Sequence, residues 1–79
     1  MGKSEILIKL TAIFRKVLNC DSLILTNDLT ANDVNGWDSL SHMLLITEIE
    51  NVFSIKFKLK DLNKMRNVGD MVNIIDTKL

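Results

Sequence analysis

Apolar residues at Ile6, Leu7, Leu10, Ile13, Phe14, Val17 and Leu18 recur three and four positions apart, with Lys9, Arg15 and Lys16 between them. That period predicts an amphipathic helix over residues 4–18, with Ser4 as its N-cap. The period then stops. Residues 19–37 are rich in turn and cap formers, among them Asn19, Asp21, Asn27, Asp28, Asn32, Asp33, Asn35 and Gly36. Leu23, Leu25, Leu29 and Val34 are scattered through this stretch. It reads as an ordered loop pinned to the core by its leucines, because a structureless loop of that length is unusual in a compact domain.

A second helix is expected from Asp38, its N-cap, to about Phe53–Ser54. Leu45, Ile46, Ile49, Val52 and Phe53 form its core face, and His42, Thr47, Glu48 and Glu50 fall on the others. Ile55 and Phe57 alternate with Lys56 and Lys58. With no partner strand in sight, that segment reads as an extended connector. Leu59 to Lys64 suits a short helix. Asn67 can cap a last helix that turns Val68, Met71, Val72, Ile75 and Leu79 inward. The expected architecture is all-α, with three main helices, one short helix and a long first loop, in one domain over residues 1–79.

Composition trims the functions such a domain can have. The 79 residues carry ten basic and ten acidic side chains, a net charge of zero, and are 47% apolar. So short a chain cannot build an enzyme with its own walls and lid. Balanced charge excludes the broad basic footprint of a nucleic-acid binder, and the apolar content excludes disorder. Cys20 is the only cysteine, so no internal disulfide forms and a cysteine-based metal site is not expected. A reducing, cytoplasmic setting is the default. No apolar run is long enough to span a membrane. The start lacks the apolar stretch of a signal peptide, and Ile6 stands where a myristoylation signal needs Ser or Thr.

Candidate chemistry centres on Gly36-Trp37-Asp38-Ser39-Leu40. Ser39 falls at the first position of a helix, where unpaired N–H groups and the helix dipole favour an attached anion such as a phosphate. Ordinary capping explains Asp-Ser equally simply. Ser39 and His42 could share a helix face as a nucleophile pair. However, His42 is the single histidine and no nucleophile elbow surrounds Ser39, so a surface histidine at a contact face is the plainer assignment. Asp33, Asn35 and Gly36 match part of a calcium loop, but Ala31 and His42 occupy the positions that need acids. No metal site is expected. Trp37 reads as a packing anchor. Met43 and Leu44 lie beside the core stripe, either as core or as an exposed apolar patch. Charge is divided: Asp38, Glu48 and Glu50 make residues 37–55 formally −3. Lys56, Lys58, Lys60, Lys64 and Arg66 against Asp61 make residues 56–66 formally +4. Without interleaved aromatics those lysines are not a nucleic-acid surface.

The stretch from Trp37 through Ser39-Leu40-Ser41-His42 to Phe53 resembles the attachment motif and second helix of acyl carrier proteins. The order of first helix, long loop, Asp-Ser-Leu, connector and final Val-Gly-Asp-Met-Val helix resembles that family over most of the chain. The resemblance implies a four-helix bundle and a free-standing, monomeric carrier, not an enzyme. It implies that Ser39 bears 4′-phosphopantetheine, delivered from coenzyme A by a phosphopantetheinyl transferase, with Asp38 as motif residue and helix cap. Acyl groups would ride on that arm as thioesters, and the cofactor would hold the chemistry. The second helix would dock acyl-loading, acyl-transfer or synthase enzymes through Leu40, Met43, Leu44, Thr47 and Glu50.

Leu44 and Asn51 stand where carriers of fatty-acid synthesis often have acids. The Trp-Asp-Ser-Leu-Ser-His version is more similar to carriers of polyketide, nonribosomal-peptide or envelope-polysaccharide pathways. An aminoacyl or peptidyl carrier of the same fold is the near alternative. A small helical interaction module without a prosthetic group is the distant one.

Overall fold

A computed structural model describes residues 2–79 of the chain. Met1, the first residue of the start considered above, lies outside them. Four α-helices run in the order α1 (Lys3–Val17), α2 (Ser39–Phe53), α3 (Leu59–Asn63) and α4 (Val68–Lys78), with a single 3-10 turn at Ala31–Asp33 in the first loop. The described residues contain no strand. None of their helices is long and apolar enough to cross a membrane.

The first helix begins earlier than its composition suggests. Gly2 is the N-cap, and its carbonyl accepts the first helical bond from the Ile6 N–H at 3.1 Å. Ser4 therefore lies inside the first turn. Glycine at an N-cap costs only a few tenths of a kcal/mol relative to serine, so an earlier start is affordable. Ile6, Leu10, Ile13 and Phe14 are buried. The helix closes with Asn19 in the left-handed region (φ 52°) and the Cys20 N–H bonded back to the Arg15 carbonyl at 3.0 Å. Asparagine is the usual substitute for glycine in this stop.

The first loop is ordered, as its leucines predict. Leu25 is buried, and Leu23, Leu29 and Val34 pack on the core. The Arg15 Nε donates to the Leu23 carbonyl at 2.8 Å. Two carbonyls of the loop accept from the start of α4: Asn27 from the Gly69 N–H at 2.8 Å, and Leu29 from the Val68 N–H at 3.0 Å. Helix starts leave such N–H groups without intrahelical partners, so loop and helix complete each other. The approach is close. A Cβ at Gly69 would stand 3.0 Å from the Asn27 carbonyl oxygen.

In α2, Leu45, Ile46, Ile49 and Phe53 are buried. Val52, expected on the core face, is 43% exposed. The stripe is filled by its four neighbours, and Val52 lies at its edge, on a shallow groove beside Lys9, Ala12 and Ile13 of α1. Ser54 ends the helix in the left-handed region (φ 55°). Residues 55–58 are the extended connector expected, with Ile55 buried and Phe57 half-buried. At α3, the Lys58 N–H donates to Asp61 Oδ2 at 2.8 Å. At α4, Asn67 Oδ1 caps by accepting the Asp70 N–H at 2.8 Å. Val68, Met71, Val72 and Ile75 face the core, whereas Leu79, also expected inward, is 50% exposed beyond the last turn. The α1 helix packs against both α2 and α4, and α3 is tied to α4 by the Asp61–Lys78 ion pair.

Candidate functional site

The site is the junction of the first loop and α2. Gly36 takes a positive φ of 88°, a conformation open to glycine at little cost, and so turns the chain into the helix. Trp37 follows, buried, with its ring edge-on to Phe14 at 4.9 Å and 89°. It is the anchor that the sequence suggests, and it holds the loop's end against α1.

Asp38 and Ser41 lock the helix start reciprocally. Asp38 Oδ1 accepts the Ser41 N–H at 2.9 Å, and Ser41 Oγ accepts the Asp38 N–H at 2.8 Å. The Ser41 hydroxyl donates in turn to the Gly36 carbonyl at 2.6 Å. This is a capping box with serine in the place where glutamate is commoner. The Ser41 N–H is the main reason the Asp38 carboxyl lies below its ordinary pKa.

Ser39 is the first residue of α2 and is exposed. It stands on the lip of an open depression that also has His42, Met43 and Arg66 in its walls. His42 is not the surface histidine expected. It is half-buried, its Nδ1 accepts the Trp37 Nε1–H at 3.0 Å, and the two rings lie nearly parallel, 6.1 Å apart. Desolvation pushes its pKa below the ordinary value. Among the described residues no hydrogen bond joins Ser39 to His42, so the geometry does not assemble a nucleophile pair. Nothing in the spacing of Trp37 and His42 marks this bond, because one residue lies before the helix and the other inside it.

The outer face of α2 resolves the open question about Met43 and Leu44. Both are surface residues, 54% and 55% exposed, and Leu40 is 75% exposed. Thr47 is exposed beside them. Glu50 behaves differently. It is half-buried, and its Oε2 accepts the Phe57 N–H at 2.9 Å, so it fastens the connector to α2. Among the described residues no group of three or more His, Cys, Asp or Glu side chains could hold a metal ion.

Comparison with known proteins identifies the family. The family model described as "Phosphopantetheine attachment site" matches residues 9–75. The chain is 34% identical over 78 residues to an acyl carrier protein of Thermotoga maritima, covering 99% of this chain and 96% of that one. It is 33% identical over 79 residues to an acyl carrier protein of an Exiguobacterium strain, covering both chains fully. A solution structure of a holo acyl carrier protein from Geobacter metallireducens superposes with a TM-score of 0.87 at 50% identity, covering 91% of this chain and 83% of that one. A covalently attached arm needs a reachable hydroxyl with open space beyond it. The exposed Ser39 at the edge of its depression fits that need. The chain belongs to the acyl carrier protein family and is a carrier of acyl groups on a 4′-phosphopantetheine arm.

Proposed function

We propose that Ser39 is the residue that bears the phosphopantetheine, and that the outer face of α2 delivers the cargo to partner enzymes. One observation carries the assignment: Ser39 is exposed as the first residue of α2, within a helix start locked by Asp38 and Ser41. In the transfer from coenzyme A, Ser39 Oγ forms the new bond to phosphorus as the bond to the departing adenosine bisphosphate breaks. The hydroxyl proton passes to the transferase. His42 Nδ1 is already engaged by Trp37 and does not serve as base. When attached, the arm supplies a thiol that holds acyl groups as thioesters. The protein contributes presentation, and tethering raises the cargo's effective concentration at each partner's active site.

On this proposal the chain is one domain without catalytic residues of its own, working as a monomer in the reducing cytoplasm, where the half-buried Cys20 stays a free thiol. Leu40, Met43, Leu44 and Thr47 form the contact face for the transferase and for loading and synthase enzymes. That face is apolar and carries no carboxylate among these four. Docking through it depends on burial more than on steering, which favours polyketide-, peptide- or envelope-pathway partners over generic fatty-acid enzymes.

Incubation with coenzyme A and a broad-specificity phosphopantetheinyl transferase should add one arm, read by intact mass. Ser39→Ala should add none. Equal modification of the Ser39→Ala variant would refute the assignment.

A further inference from the structure

We propose that His42, with Arg66, is a positioning residue for the phosphodiester on Ser39, and that the depression between them seats the first part of the arm. This rests on Ser39 being the attachment point. Three segments that are distant in sequence meet at the depression: Asn32 from the 3-10 turn, Ser39, His42 and Met43 from α2, and Met65 and Arg66 from the turn before α4.

The hydrogen bonding of His42 decides which nitrogen faces a ligand. Its Nδ1 accepts the Trp37 Nε1–H at 3.0 Å. A neutral imidazole that accepts at Nδ1 carries its proton on Nε2. The two rings lie nearly coplanar, edge to edge across that bond, with centroids 6.1 Å apart and 16° between planes, so rotating the imidazole would break it. The nitrogen turned away from Trp37 is thus a fixed N–H donor. Ser39 and His42 are three residues apart on one helix and so are neighbours on its surface.

Arg66 is oriented too. Its backbone N–H and its Nε both donate to Asp70 Oδ2, at 3.2 and 3.1 Å, and among the described residues its two terminal nitrogens make no hydrogen bond. Guanidinium nitrogens are strong donors to phosphate oxygens. The one carboxylate in the lining, Asp38, stays ionised, with its charge compensated locally by the helix-start N–H groups of Ser41 and Leu40. Met43 and Met65 supply apolar walls that suit the geminal methyl groups next to the phosphate in pantetheine. A donor fixed by a tryptophan, an anchored arginine and two thioethers together match a phosphate followed by a small branched apolar group.

The test loads wild type, His42→Gln, His42→Leu and Arg66→Gln with unacylated phosphopantetheine from coenzyme A. Mass analysis of the modified peptide first checks that Ser39 is the loaded residue. Loading elsewhere would overturn the attachment assignment itself, separately from the seating. The loaded proteins are then compared by phosphorus NMR and by nuclear Overhauser contacts from the geminal methyls. Wild type should show contacts to Met43 and Met65 and a phosphorus shift displaced from that of the same protein in urea. His42→Gln, which keeps a donor, should retain both. His42→Leu should lower the seated-to-free ratio by about tenfold, the size expected for a lost hydrogen bond to a charged group, and Arg66→Gln, which removes the charge at a solvent-screened side chain, by about two- to fivefold. Arg66 is exposed, so its variant tests the proposal even if His42→Leu does not fold. Absent methyl contacts in wild type, or an Arg66→Gln protein indistinguishable from wild type, would overturn it.

Discussion

Lys78 Nζ lies 2.8 Å from Asp61 Oδ2, and both side chains are largely withdrawn from solvent. This pair joins the shortest helix to the last one. Asp61 also accepts the Lys58 N–H, so one carboxylate caps α3 and fastens it to α4. Its pKa is depressed from 3.8, first by the Lys78 hydrogen bond and then by the Lys58 N–H. A carboxyl with a lowered folded-state pKa stabilises the fold above the ordinary value, and that stability is lost as pH falls through the lowered one. Asp61→Asn should lower the midpoint of thermal unfolding at pH 7. The difference from wild type should shrink as pH is taken below 3.8. Unfolding curves across pH 2 to 7, roughly the range over which paired carboxylates titrate, measure it.

His42 has the opposite chemistry but the same direction with pH. Its imidazole pKa lies below the ordinary 6.5, because burial disfavours the charged form. The unfolded chain therefore takes up its proton first. This group's contribution to stability should be complete above 6.5 and decline as pH falls from there to the lowered value. Protonation also removes the acceptor for the Trp37 N–H, so tryptophan fluorescence of the folded protein should change as pH falls through the lowered value. His42→Gln should abolish that step in a fluorescence titration.

Ile49 and Val52 sit a turn apart on α2 and should respond very differently to truncation. Ile49 is fully buried. Ile49→Ala should cost about 2–5 kcal/mol in chemical denaturation, the range for a large core aliphatic cut to alanine. Val52→Ala should cost less than about 1 kcal/mol, since the side chain is 43% exposed. Equal costs would contradict the face assigned to this helix.

Leu44 separates folding from docking. Leu44→Asp should change unfolding free energy by no more than about 0.5 kcal/mol, as for other exposed positions, because 55% of the side chain is in solvent. Acyl transfer to or from a cognate partner should slow markedly, through a raised apparent KM. Transfer assays beside denaturation curves distinguish the two effects.

The helices were legible because their core stripes repeat at helical spacing. Leu45, Ile46, Ile49 and Phe53 leave little else for residues 39–53 to be. The caps at Asp38 and Asn67 were legible for a similar reason: a short polar side chain before an apolar run has one common use. The edges of the stripes were not. Val52 and Leu79 fit the periodicity but lie where the neighbouring helices no longer cover them, and only tertiary packing decides that. Ser39 was visible from its motif. The Trp37–His42 bond and the gathering of His42 and Arg66 around one depression were not, because they join a loop, a helix start and a distant turn with no shared period. Glu50 shows the same limit. It counts as a surface acid in the sequence, yet its carboxylate is held by the Phe57 N–H.

The pairing of Asn27 and Leu29 with Gly69 and Val68 joins the loop that leads into Ser39 to a helix made much later in the chain. During synthesis the serine emerges well before the residues that brace its approach. A ribosome-bound chain ending before Val68 should present the same hydroxyl on an unbraced loop and be a poorer transferase substrate than the finished protein. On the Ser39 assignment, attachment of the arm should then wait until the last helix has closed against the first loop.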